Sequence, residues 1–187
     1  WLGATVVYSV LEPAKITVHM LMALVIVAIL LYIIYLANTE NKRIRYDKLV
    51  LNLSIIALLL TLVQITMGTQ VRQFVDEQID IYGYTARGNW LKSPELLFYV
   101  HRSFSILVIA VNAFLAYRIT KLDLGHFKIY WVMFLLVVEV FTGIAMNYLD
   151  FPFASQPLHL VLASILFGVQ FYILLDALMP RKNLETS

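Results

Sequence analysis

Two of the chain's four histidines stand at the edges of long apolar runs, in Val100-His101-Arg102-Ser103 and Pro157-Leu158-His159-Leu160. An ionisable ring at such a place needs a reason to be there. The residues that follow repeat one pattern. Ser105 and Asn112 come four and eleven positions after His101, and Ala163 and Gln170 keep the same offsets from His159. Those offsets share one helical face, so each imidazole heads a stripe with a small residue one turn below and an amide deeper down. The small residue leaves room for something flat and wide. Two imidazoles facing each other would fill both axial positions of one haem iron, an arrangement suited to electron transfer. A single histidine at this depth reads more simply as an interfacial residue snorkelling to headgroups. The matched pair is what favours haem.

Other polar residues fall into place around that pair. Arg72 and Arg102 lie at the depth where haem propionates would point, and guanidinium binds carboxylate through two parallel hydrogen bonds. Lipid headgroups offer the alternative partner. Glu139 falls mid-way along an apolar run, where a carboxylate must face the protein interior. It could tune a haem, carry a proton or make a structural hydrogen bond. Asp176 reads as interfacial, and His126, in a loop, is given no role.

The elements that would hold these residues are membrane helices. The chain is 61% hydrophobic and 14% charged, with mean hydropathy +0.80, far from the composition of a soluble domain. The absence of cysteine among its 187 residues excludes disulfides, thiolate ligands and covalent haem attachment. A net charge of +2, gathered in a few loops, argues against a nucleic-acid surface. Five runs are long enough to span a bilayer: 16–37 (α1), 49–72 (α2), 96–119 (α3), 128–148 (α4) and 158–179 (α5). Before them, 1–10 resembles the last turns of a helix already under way, so an upstream part is expected.

Lysines and arginines concentrate in loop 38–48, the α3–α4 loop and the C-terminal tail, which the positive-inside rule puts in the cytoplasm. His19, His101 and His159 then share a depth near the outer face. Gly3, Tyr8, His19 and Ala23 recur 140 positions later as Gly143, Tyr148, His159 and Ala163, the mark of an internal repeat. A shorter echo matches Gln64, Gly68 and Arg72 on α2 with Glu139, Gly143 and Asn147 on α4. The expected fold is an all-α integral membrane protein, with α2–α5 forming an up-down four-helix bundle and α1 ending a preceding homologous one. Residues 1–37 would close the first unit, 38–48 form a cytoplasmic linker, 49–179 the complete haem-binding unit and 180–187 a cytoplasmic tail. In such a bundle α3 and α5 are diagonal, which sets His101 and His159 face to face. His19 has no partner in this chain.

The stretch from Trp1 to Ser9 and on to His19, the run Gln64-Ile-Thr-Met-Gly-Thr-Gln-Val-Arg72, His101-Arg102, and Gly143 through His159 together resemble haem A synthase, a cytochrome oxidase assembly enzyme of bacterial and mitochondrial inner membranes. The resemblance covers the family's last five and a half of eight helices. It implies a membrane oxidoreductase that oxidises a methyl group of haem o to the formyl group of haem A. It further implies haem b between His101 and His159, and the residue reading above adds Arg72 and Arg102 as cofactor-binding residues. His19 would be one iron ligand of the substrate haem o, its partner and the catalytic glutamate lying upstream. A haem o synthase is one source of that substrate. The electron donor and the oligomeric state, homo-oligomer included, stay open, and the expected location is the bacterial inner membrane.

Two other classes fit the residues. A bis-histidine membrane cytochrome b could act as a quinol-linked electron carrier or anchor subunit, but one haem would not need His19 and its echo. A cofactor-free scaffold would show no haem absorption.

Overall fold

The structure, a computed structural model, describes residue 4 and residues 13–38, 46–124 and 127–179. Among these residues all regular structure is helical. The five long helices are α1 (Pro13–Ala37), α2 (Lys48–Tyr82), α3 (Leu96–Lys121), α4 (Lys128–Tyr148) and α5 (Ser155–Leu178), with one 3-10 turn at Arg87–Asn89. All five are long and apolar enough to cross a membrane. Large apolar side chains such as Ile26, Ile33, Ile106 and Phe141 point outward along them. Exposed apolar surface on that scale suits lipid rather than water. This is a multi-pass membrane protein.

The helices follow one another antiparallel around a square. α2 packs against α3 and α5, α4 packs against the same two, and no backbone contact links α2 with α4 or α3 with α5. The diagonal relation of α3 and α5 therefore holds. A core of Val50, Leu53, Val108, Leu115, Val132, Leu136, Leu166 and Ile173 fills the square. Outside it, α1 lies in the groove between α2 and α5. Leu24 joins Leu58, Ile65, Phe167 and Leu174 in a second cluster there, and Leu31 comes so close to Gly168 that a methyl on that glycine would meet it at 3.3 Å.

At the end away from the histidines, ionic ties fix the helix ends. Asp47 caps α2 by accepting from the backbone N–H of Val50 (2.9 Å) and pairs with Arg118 at the end of α3 (2.8 Å). The Arg118 hydrogen bond holds the Asp47 carboxyl below the usual carboxylate range. Asp176, expected to be interfacial, is instead fully buried and paired with Lys128 at 2.8 Å. The Lys128 ammonium also sits 4.4 Å from the centre of the Tyr172 ring. A buried carboxylate is tolerable only when so paired.

The other end differs most from expectation. α2 was expected to stop at Arg72, where hydropathy falls, yet it continues to Tyr82. At 1.5 Å per residue its 35 residues reach about 52 Å, well beyond a hydrocarbon core of ~30 Å. The added turns are amphipathic: Val75 and Ile79 are buried, while Gln73 donates to Glu77 on the wet face. Gly83, at φ +81°, ends the helix in a conformation that side chains resist. The chain then folds back, and Trp90 packs with Val75, Ile79 and Phe151. Arg87 donates to the carbonyl of Phe151 at 3.1 Å. That contact braces the α4–α5 turn, where Asp150, Phe151 and Ala154 all adopt positive φ. Such residues cost roughly 1–3 kcal/mol each and persist because neighbours hold them.

Candidate functional site

His101 and His159 occupy the second turns of α3 and α5, at the same end of the square and on diagonal helices. Each is backed by a glycine of the preceding helix. A Cβ built on Gly68 would lie 3.3 Å from Cε1 of His101, and one on Gly143 would lie 3.9 Å from Cε1 of His159. At Gly68 any side chain would push on the imidazole; at Gly143 a methyl fits.

One turn deeper on each of those helices is a polar residue that reaches the same partner. The Gln64 side-chain amide donates to the carbonyl of His101 at 3.1 Å. A Glu139 oxygen lies 2.7 Å from Nδ1 of His159. The spacing echo between α2 and α4 thus corresponds to two copies of one arrangement, polar residue and glycine on one helix, histidine on the next. Thr142 completes the second copy, its hydroxyl 2.7 Å from the same Nδ1.

The protons at His159 can be assigned from this network. Thr142 has one hydroxyl proton, and it goes to the Glu139 carbonyl at 2.9 Å. Toward the ring its oxygen must accept, as must an ionised Glu139. With Glu139 ionised, both oxygens accept from Nδ1–H, and a neutral imidazole in this place keeps its lone pair on Nε2. That is the tautomer a metal-ligating imidazole needs when its other nitrogen is held by a carboxylate. His101 lacks such a partner: its Nδ1 is buried with no hydrogen bond, a state that costs about 1–3 kcal/mol unless something fills it.

Below the histidines the two stripes converge. Gln170 donates to Asn112 at 3.0 Å, and Asn112 donates to the Val108 carbonyl at 2.8 Å. Both amides are buried. Eleven residues separate each amide from its histidine, about 16 Å along the axis.

The remaining candidates line the rim or lie beyond it. Arg72, one turn above Gly68, is held by Asp76 (2.9 Å) and donates to Gln156 in the first turn of α5 (2.7 Å). Arg102 is exposed and its side chain has no hydrogen bond or ion pair among the described residues. His19 lies on an exposed face of α1, outside the square. Two residues before it, Thr17 shares a hydrogen bond with Thr69 of α2 at 2.7 Å. Gly3 and Tyr8 of the repeat, the basic residues 42–45, His126 and the tail 180–187 lie outside the described residues.

Among the described residues no three His, Cys, Asp or Glu side chains converge on a metal-sized site. Two opposed imidazoles are too few donors for a bare ion; a porphyrin supplies the other four nitrogens. A His159 ring held at Nδ1 by Glu139 and Thr142, which leaves its Nε2 available to ligate, and the glycine behind each ring fit that group. The family model for cytochrome oxidase assembly proteins (COX15-CtaA) matches residues 1–171, a span that takes in all three of these histidines and both arginines. The chain belongs to the cytochrome oxidase assembly family, the haem A synthases. Neither a curated protein nor a solved structure matches it. Sequence reasoning left Glu139 with three alternative roles and did not single out Thr142 at all. The signal for Glu139 was present in the echo with Gln64. Thr142 lay hidden, because a threonine beside a glycine in an apolar run usually satisfies its hydroxyl on its own helix.

Proposed function

We propose that this chain is the haem-b-binding part of a haem A synthase, which oxidises a methyl group of haem o to the formyl group of haem A. The observation that carries this is the doubled arrangement Gln64–Gly68–His101 and Glu139–Gly143–His159 in a member of that family. His101 and His159 would hold the iron of haem b, which, when bound, takes up and releases single electrons. Arg72 and Arg102 would meet its propionates, Arg72 by exchanging Gln156 or Asp76 for a propionate. α2–α5, residues 49–179 by the sequence division, form this haem-binding unit, and α1 belongs to a preceding homologous unit in which His19 ligates the substrate haem o. The basic loops place the linker and tail in the cytoplasm and the histidines near the outer face of a bacterial inner membrane.

The test is the haem content of cells expressing the full-length protein, resolved into haems b, o and a. His101→Ala and His159→Ala should each abolish the low-spin b-type spectrum. His19→Ala should keep that spectrum, because its ring lies outside the square, yet stop haem A formation. Wild-type haem A levels in His19→Ala would overturn the substrate-site role. A low-spin spectrum surviving in either of the other variants would overturn that ligand.

A further inference from the structure

The two proposed axial histidines are alike in position but not in support. His159 is gripped at Nδ1 by a Glu139 oxygen and the Thr142 hydroxyl, each at 2.7 Å. The Gln64 side chain meets His101 at its backbone carbonyl, at 3.1 Å, and no carboxylate or hydroxyl hydrogen-bonds its Nδ1. We propose that Glu139 and Thr142 are positioning residues that orient His159 and strengthen its bond to iron, making the two axial ligands of one haem unequal. This rests on the haem reading given above.

The argument starts from where Glu139 sits. It lies in the middle of a membrane-crossing helix, a costly place for a carboxylate that does nothing. Its relative on α2 is Gln64, which has nearly the same shape, so shape alone does not call for an acid. What a carboxylate adds is acceptor strength. An imidazole whose distal N–H points at a carboxylate is locked in one tautomer and ring orientation, and its other nitrogen becomes a better donor. Thr142 fixes the direction from a second side, with its own proton spent on the Glu139 carbonyl. A stronger donor favours ferric over ferrous iron, so Glu139 should hold the haem potential down. At His101 the neutral amide side chain contacts the backbone carbonyl and not the ring.

The test is the midpoint potential and low-temperature EPR of the haem in purified full-length protein, comparing wild type with Glu139→Gln, Thr142→Val and Gln64→Ala. Glu139→Gln preserves size and an acceptor oxygen, so it should fold and retain haem. Its potential should rise, and each tenfold change in the ferric-to-ferrous affinity ratio corresponds to about 59 mV for one electron. Its low-spin EPR signal should shift as the ring is freed. Thr142→Val should move the signal in the same sense by less, and Gln64→Ala should leave the potential where it is. Glu139→Asp should recover part of the wild-type value. An unchanged potential and EPR signal in Glu139→Gln, with haem bound and lost in His159→Ala, would overturn the inference while leaving the haem site standing. Should wild-type protein carry no bis-histidine haem, the parent reading fails instead.

Discussion

Gln170 hydrogen-bonds Asn112 across the centre of the square, joining α3 and α5, two helices whose backbones do not touch. Both side chains are buried in the interior of the square. Among the described residues theirs is the side-chain hydrogen bond that links α3 with α5. Coupling between the amides should therefore be measurable. Gln170→Leu alone strands the Asn112 carbonyl oxygen and should cost about 1–3 kcal/mol. Asn112→Leu with Gln170→Leu should cost less than the two single changes summed. Thermal unfolding in detergent gives the cycle, and strict additivity would mean the bond is not formed.

The two glycines make an unequal pair. Gly68→Ala would bring a methyl to 3.3 Å from the His101 ring, displacing it at a cost of about 1 kcal/mol or more. Gly143→Ala, at 3.9 Å from the His159 ring, meets ordinary contact. Haem retained per protein after purification should fall in the first variant and hold in the second. Equal retention in both would show that Gly68 does not crowd His101.

A pH-dependent contribution should come from the other end of the molecule. The Arg118 hydrogen bond lowers the Asp47 pKa from its ordinary value of 3.8. A group whose folded pKa is depressed adds stability above its unfolded pKa and loses it as pH falls through the folded one. Wild type should thus outlast Asp47→Asn at neutral pH, and the gap should close below pH 3.8. Melting temperatures of both proteins across pH 3 to 7 check this; a gap independent of pH would assign the effect to packing.

Much of the architecture was written in one variable, apolarity sustained over a bilayer's width. Each of the five spans could be found that way, and the bounds of α4 agree to the residue because charged and turn residues flank it. The same variable misplaced the end of α2, since beyond Arg72 the helix is stabilised by burying Val75 and Ile79 under Trp90 rather than by lipid. No local signal announces a partner that arrives a dozen residues later from a folded-back loop. At the site, spacing was enough to link His101 with Asn112 and His159 with Gln170. It could not reveal which neighbour each ring would touch. Glu139 and Gln64 occupy matching positions, yet only three-dimensional packing sends one to a ring nitrogen and the other to a carbonyl.

α1 contributes no side chain to the square, but its seam with α2 and α5 is tightly specified: Thr17 on Thr69 at one end, Leu31 against Gly168 further in. His19 is two residues from the first of those contacts. His19 is consequently held at a set distance from the His101–His159 pair by interlocking side chains of α1, α2 and α5. Under the function proposed above, His19 and the His101–His159 pair would each hold a haem, and electron exchange between the two, which falls steeply with distance, would depend on the fit of one helix in one groove.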